Sequence, residues 1–271
     1  MKYYFSGVMS TAELDILREA GASRILLDPY AWSKLSAGTS FARVCLDSGA
    51  YRAFKNGGVL DLDDWASAAN PIAESVEHIE MMVAPDVIGN PELTRRSYER
   101  ILEQYPHIDC IPVWQWGASE DDLQYYLDRC EVVGLGGLVP YLRSRRRDRL
   151  PKDARKAWDE QRHAVLEQVI EVCQAHPGRF HFFGLGWPPA IKALKSLLYS
   201  ADGTLWLYPA RYGLAVFANT QTGRLSYAPA NLISDFKSLS RRERLVLAVQ
   251  EMETYFNTQE ACEAQGMNVL R

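Results

Sequence analysis

The chain has 271 residues and a net charge of −4, with 47% apolar and 24% charged residues. This composition is typical of a folded globular protein and excludes predominant disorder. Apolar runs are too short to span a membrane, and the N-terminal residues lack a secretory signal, so we expect a cytoplasmic protein without a membrane partner. The five cysteines are scattered without C-x-x-C spacing, which predicts reduced thiols and no metal site.

Short β-branched and aliphatic runs recur along the chain, and most are followed by a helical pattern. They predict eight strands, at Tyr3–Val8, Arg24–Asp28, Arg43–Asp47, Ile79–Ala84, Asp109–Trp114, Val132–Leu135, Arg179–Gly184 and Thr204–Leu207. Capping residues and apolar spacing predict helices near Ser10, at Leu62–Ala69, Pro91–Gln104, Glu120–Asp128 and Asp153–Ala175, and after Pro188. Beyond the eighth strand, the pattern predicts a β-hairpin from Tyr212–Phe217 and Arg224–Tyr227, and a helix from Ser240 to about Phe256.

Eight strands that alternate with helices predict an α/β protein with a parallel sheet, and eight is the number that closes a (β/α)₈ TIM-type barrel. An open doubly wound sheet is the alternative, but no G-x-G-x-x-G follows the first strand. No repeat or linker divides the chain. We therefore expect residues 1–271 to form one barrel domain with a C-terminal β-hairpin and helix.

Polar residues follow several of the predicted strands, where a TIM-type barrel carries its active site. Asp47 ends the third strand, Asp86 and Gln115 follow the fourth and fifth, and Asp202 stands just before the predicted eighth. Carboxylates around one pocket suit glycosyl chemistry, because one can attack the anomeric carbon while another moves the proton of the leaving group. Tyr51, near the end of the third strand, could stack on a sugar or a base.

The positive charge is concentrated in one segment. Residues 143–156 contain eight Lys or Arg against two Asp, a net charge of +6, so the rest of the chain carries −10. This asymmetry predicts a site for a polyanion, and a solvated basic loop is the alternative.

Six short motifs, in the same order, resemble the tRNA-guanine transglycosylase family. They are Leu46-Asp47-Ser48-Gly49-Ala50-Tyr51, the segment around Asp86, Val113-Trp114-Gln115-Trp116-Gly117, Gly134-Leu135-Gly136-Gly137-Leu138, His181-Phe182-Phe183-Gly184-Leu185-Gly186, and Asp202 with Pro209-Ala210-Arg211-Tyr212-Gly213. The resemblance implies an irregular (β/α)₈ barrel that exchanges guanine in a polynucleotide for a 7-deazaguanine, without a cofactor.

The resemblance also implies roles for individual residues. Asp202 would be the nucleophile and Asp47 the general acid and base. Base-binding residues would be Asp86, Gln115, Gly136, Gly137 and Tyr51. Together with Arg211, we expect the basic residues Arg143, Arg145, Arg146 and Arg147 to contact the nucleic-acid backbone.

The sequence departs from the family pattern at three places. Ala50 occupies the position of the second Gly of D-S-G-G, and Arg52 occupies the position of the following Gln. The zinc motif of three Cys and one His is absent. The chain therefore resembles most the zinc-less relatives that modify DNA, so we expect DNA as the partner, with tRNA as an alternative. A nucleoside or N-glycoside hydrolase and a non-catalytic nucleic-acid-binding paralogue also remain open, as does a partner protein or a homodimer.

Overall fold

Eight short strands form one parallel sheet in the computed structural model, which describes residues 1–35, 41, 43–75, 78–142, 150–219 and 224–264. The strands are β1 (Lys2–Phe5), β2 (Arg24–Leu27), β3 (Arg43–Leu46), β4 (Ile79–Met82), β5 (Val113–Gln115), β6 (Val133–Gly136), β7 (Phe180–Phe182) and β8 (Ser200–Gly203). Their spatial order is β4-β3-β2-β1-β8-β7-β6-β5. A parallel bridge between Val83 and Ile111 joins the β4 edge to the β5 edge, so the sheet is curled and consistent with a TIM-like barrel.

Helices connect the strands and flank the sheet. They are α1 (Thr11–Glu19), α2 (Pro29–Leu35), α3 (Ala50–Lys55), α4 (Leu62–Ser75), α5 (Pro91–Gln104), α6 (Glu120–Leu127), α7 (Val139–Leu142), α8 (Lys152–Ala175), α9 (Pro188–Leu194), α10 (Tyr208–Tyr212), α11 (Ser234–Lys237) and α12 (Arg241–Ala264). Side chains of Ser10, Asn90 and Ser119 accept backbone N–H groups in the first turns of α1, α5 and α6, which fixes where these helices begin. In the described residues, no helix combines the length and the apolar character needed to cross a membrane.

The apolar residues divide into two layers because side chains alternate along each strand. On β1, Tyr4 belongs to a small cluster inside the curled sheet, whereas Tyr3 and Phe5 belong to the larger core between the sheet and the helices. The inner cluster consists of Tyr4, Leu26, Cys45, Met81, Val83, Val113 and Val132. This cluster fills the interior below the C-terminal ends of the strands.

Charged groups pack at the N-terminal end of the sheet interior. The carboxylate of Glu80 lies 2.7 Å from Lys2 Nζ and 3.1 Å from Arg24 Nε, and it accepts a hydrogen bond of 2.7 Å from the hydroxyl of Tyr4. Lys2 also donates to the hydroxyl of Tyr199. Each charge in this group has an opposite charge or a hydrogen bond, so the group can be partly buried at this end of the interior, below the apolar cluster.

The C-terminal hairpin and helix are confirmed. Strands β9 (Leu214–Asn219) and β10 (Arg224–Pro229) pair antiparallel, and α12 packs against β9, α1 and α10. The ring of Phe256 on α12 stacks on Tyr3 at 4.2 Å between centroids. Helix α12 is therefore part of the main core.

The prediction of the eighth strand at Thr204–Leu207 is wrong. The strand is Ser200–Gly203, and Leu205–Leu207 form a 3-10 turn that is fully buried. An apolar run such as Leu205–Leu207 is typical of a strand, but here its side chains belong to the core at the start of a helical segment. The polar residues before it pair in register with β1 and β7 instead. This correction places Asp202 within β8, near its C-terminal end.

Candidate active site

Four carboxylates lie at the C-terminal end of the parallel sheet: Asp28, Asp47, Asp86 and Asp202. Asp28 and Asp47 directly follow β2 and β3, Asp86 follows β4 in the next loop, and Asp202 lies on β8. Parallel strands bring such residues to one edge.

The alternation of side chains explains why these polar groups face the interior. Cys45 belongs to the inner apolar cluster, and Asp47 is two residues further along the same chain direction, on the same face. The same spacing relates Leu26 to Asp28 and Val113 to Gln115. The polar site therefore lies directly above the inner cluster.

Asp47 has an environment that favours its protonated form. Burial and the neighbouring carboxylates of Asp202, Asp86 and Asp28 raise its pKa to about 7, and the backbone N–H of Gly49 opposes this shift only in part. That N–H donates to Asp47 Oδ2 at 3.4 Å. Gly49 has a φ of +84°, so its left-handed conformation shapes the turn that begins α3.

Asp86 and Gln115 form a hydrogen-bonded pair. Gln115 Nε2 donates to Asp86 Oδ2 at 2.5 Å, and Gln115 Oε1 accepts from the backbone N–H of Gly89 at 3.4 Å. Burial raises the pKa of Asp86 to about 6, against hydrogen bonds from Gln115 and Ser48 that stabilise the carboxylate. Gln115 is almost fully buried and Asp86 is half-buried, so a buried amide holds a carboxylate that is partly open to solvent.

The two glycines at the end of β6 lie directly against Gln115. A Cβ on Gly136 would lie 2.8 Å from Gln115 Nε2, and one on Gly137 would lie 3.1 Å from Gln115 Oε1. Gly137 also has a φ of +76°. Only residues without a side chain allow the backbone to approach the amide this closely.

Asp202 is buried and is held by groups from β7 and the loop after it. Its Oδ1 accepts the backbone N–H of Gly184 at 2.9 Å, and it lies 3.7 Å from His181 Nε2. His181 Nδ1 lies 2.8 Å from the hydroxyl of Ser200 on β8. Asp202 is 6% exposed, and His181 and Ser200 are fully buried.

Three residues of this site had no role in the sequence prediction. Ser200 is two residues before Asp202, so strand periodicity with the correct β8 would have placed it on the same face. His181 pairs with Ser200 across the β7–β8 ladder, and finding it also requires the register between the two strands. The third is Asp28, which forms a salt bridge of 2.6 Å with Arg52. Its position at the end of a predicted strand was the available signal.

The remaining predicted residues lie on helices or outside the described residues. Tyr51 lies on α3 with 42% of its surface exposed, and Lys55 Nζ lies 5.8 Å from the centre of its ring. Arg211 is exposed on α10. The basic residues Arg143, Arg145, Arg146 and Arg147 are outside the described residues.

Within the described ranges, no group of three or more His, Cys, Asp or Glu side chains has a geometry that could hold a metal ion. The arrangement instead offers one protonatable carboxyl, one buried carboxylate and a rigid hydrogen-bonding pair at the same edge. No protein-family model matches the chain, and no curated protein shows significant similarity to it.

Proposed function

We propose that the protein is a base-exchange transglycosylase that replaces guanine in a polynucleotide with a 7-deazaguanine. The observation that carries this proposal is the pairing of Asp47, whose pKa is raised to about 7, with the buried carboxylate of Asp202 at the same end of the sheet. A group that both donates and accepts a proton near neutral pH works best with a pKa close to that pH. The curled sheet, joined through Val83 and Ile111, supports a (β/α)₈ barrel as the scaffold.

In the first half of the reaction, Asp202 attacks C1′ of the target nucleotide. A bond forms between the carboxylate oxygen and C1′, the C1′–N9 bond breaks, and its electron pair goes to the departing guanine, which takes the proton of Asp47. In the second half, the incoming 7-deazaguanine gives its ring N–H proton to Asp47. The ring nitrogen attacks C1′, and the electron pair of the C1′–O bond returns to Asp202.

The hydrogen-bonding pair of Asp86 and Gln115 is suited to reading the edge of the base. The amide of Gln115 and the hydroxyl of Ser48 donate to Asp86, whose carboxylate keeps further lone pairs to accept N–H groups of a guanine-like ring. The backbone of Gly136 and Gly137 approaches the same amide closely. A purine edge needs acceptors and donors in a defined arrangement, and a buried amide that holds a half-buried carboxylate provides one.

We propose DNA as the polymer, in line with the resemblance to the zinc-less relatives. Access to a base within a duplex requires flipping, so single-stranded or deformed DNA should react best. The basic segment at residues 143–156 is proposed to hold the backbone phosphates, together with Arg211.

The experiment measures incorporation of labelled guanine into single-stranded DNA, duplex DNA and tRNA, and searches denaturing gels for a covalent protein–polynucleotide adduct. We expect exchange and an adduct with DNA, and neither with Asp202→Asn, because an amide cannot form the sugar ester. Asp109→Asn, the same change at an exposed position before β5, is the matched control and should behave like the parent.

Each other outcome points to a different function. Adduct formation by Asp202→Asn would remove Asp202 from the nucleophilic role. Release of guanine without incorporation would indicate a hydrolase. Binding of polynucleotide without either reaction would indicate a non-catalytic paralogue.

A further inference from the structure

His181 has a buried ring nitrogen that no described residue satisfies. The ring is fully buried, and its Nε2 has no hydrogen-bond partner among the described residues. This nitrogen lies 3.7 Å from Asp202 Oδ1. A buried polar atom without a partner costs free energy, so its place beside the carboxylate needs a reason.

The neighbours of His181 determine which nitrogen faces the site. Nδ1 lies 2.8 Å from the hydroxyl of Ser200, while the rings of Phe183 and Tyr4 pack edge-on against the imidazole at 4.6 and 6.0 Å between centroids. These aromatic contacts leave little freedom for the ring to turn. When the Ser200 hydroxyl donates to Nδ1, the proton of the neutral ring is on Nε2 and points towards Asp202.

We propose that His181 is a positioning residue for Asp202, with its tautomer set by Ser200. This inference rests on the proposed function and adds a residue to its mechanism. Asp202 Oδ1 already accepts the N–H of Gly184, and Nε2–H is a second donor on the same side of the carboxylate. The other oxygen, Oδ2, is then the one that attacks C1′.

The second donor acts in both halves of the exchange. Before attack, it holds the carboxylate in one orientation, and the 3.7 Å separation shortens when the substrate is bound, as hydrogen bonds at unliganded active sites commonly do. When the sugar ester breaks, the electron pair returns to Asp202, and the donor stabilises the negative charge that develops there.

The first experiment needs no catalytic activity. Nitrogen-15 NMR of the histidine-labelled protein reports which ring nitrogen carries the proton. We expect the Nε2–H tautomer for His181, a changed Nε2 signal in Asp202→Asn, and loss of the single tautomer in Ser200→Ala. A proton on Nδ1, or an Nε2 signal that is unchanged in Asp202→Asn, would overturn the proposal.

The second experiment measures the rates of adduct formation and breakdown. His181→Asn can still meet Ser200 but is too short to reach Asp202. We expect both rates to fall at least about tenfold, the lower limit for one lost hydrogen bond to a charged group, with the KM for the free base unchanged. His181→Gln, whose amide reaches further, should recover part of the rate, and Ser200→Ala serves if His181→Asn does not fold.

If a folded His181→Asn variant forms and breaks down the adduct as fast as the parent, the positioning role is overturned. If the parent protein itself forms no adduct and exchanges no base, the proposed function fails, and the NMR result still decides whether His181 donates to Asp202. The two failures are therefore distinguishable.

Discussion

Asp47 illustrates how single residues acquire their properties from position in this site. Its carboxyl follows a strand whose inward residue, Cys45, is part of an apolar cluster, and three other carboxylates share the same edge. Removing water disfavours the charged form, and so does each neighbouring negative charge. Asp47 therefore keeps its proton up to about neutral pH.

This property has a consequence for stability. The folded protein keeps the proton of Asp47 up to about pH 7, whereas an unfolded chain releases it near pH 4. Between these values the folded state binds more protons, so the free energy of unfolding falls as the pH rises through this window. We expect Asp47→Asn to raise the melting temperature by several degrees at pH 8 and to change it little at pH 4, measured by calorimetry.

The control for this prediction is Asp109→Asn, because Asp109 is exposed and lies before β5 rather than at the carboxylate edge. The difference in melting temperature between this variant and the parent should be the same at both pH values. An Asp47→Asn variant that is less stable than the parent at pH 8 would contradict the burial of a charged Asp47.

At the scale of elements, the sequence predicted the alternation of strands and long helices better than the short helices between them. Long periodic segments such as Pro91–Gln104 agree with α5 in both bounds. The short α2, α3 and α7 were not predicted, because one or two turns do not create a periodic pattern. Pro112 shortens β5 from its predicted Asp109 start to Val113–Gln115, since proline cannot donate to a ladder.

The candidate site could be predicted in part for the same reason. Asp47 and Gln115 end strands whose apolar residues have a clear pattern. The His181–Ser200 pair could not be inferred, because it depends on the register between β7 and β8, and β8 itself consists of small and polar residues. Register is a property of the assembled sheet, and a single strand does not encode it.

The close approach of β6 to β5 gives a prediction at the element scale. A Cβ at position 136 would lie 2.7 Å from Val113 Cγ1 and 2.8 Å from Gln115 Nε2. We expect Gly136→Ala to displace Gln115 from Asp86, to weaken guanine binding at least about tenfold and to lower the free energy of unfolding by about 1–3 kcal/mol. Isothermal calorimetry and urea unfolding measure these effects.

Gly58→Ala is the matched control, because the nearest atom to its added Cβ is the carbonyl oxygen of Ala53 at 3.8 Å. This variant should bind guanine like the parent. Unchanged guanine affinity in Gly136→Ala would show that the Gln115 amide does not contact the base.

At the scale of the whole molecule, the charge is distributed unevenly. The segment 143–156 carries +6, and the rest of the chain carries −10. Part of this segment lies on the first turns of α8, where Arg155 is half-buried and its Nε donates to the carbonyl of Leu150 at 3.1 Å. Strand β6, which precedes this segment in the chain, ends at the same edge of the sheet as the carboxylates.

We expect the triple change Arg145→Ala, Arg146→Ala and Arg147→Ala to weaken polynucleotide binding across sequences and to flatten its dependence on salt, while free-base binding is unchanged. Fluorescence anisotropy at several salt concentrations measures this. Removing Arg96, Arg100 and Arg129, three exposed arginines on α5 and after α6, gives the same change in net charge as a control. Equal effects of the two triple changes would assign the loss to net charge alone.

The group around Glu80 and the apolar cluster above it have a kinetic meaning. Lys2, Arg24 and Tyr4 contact Glu80 at one end of the sheet interior, and the apolar cluster lies between this group and the carboxylates at the opposite end. In the proposed reaction both bases would then reach the sugar from the C-terminal end of the sheet. Because Asp202 holds the sugar covalently after guanine leaves, the kinetics should follow ping-pong order, with free guanine competing directly against 7-deazaguanine for the sugar-bound enzyme.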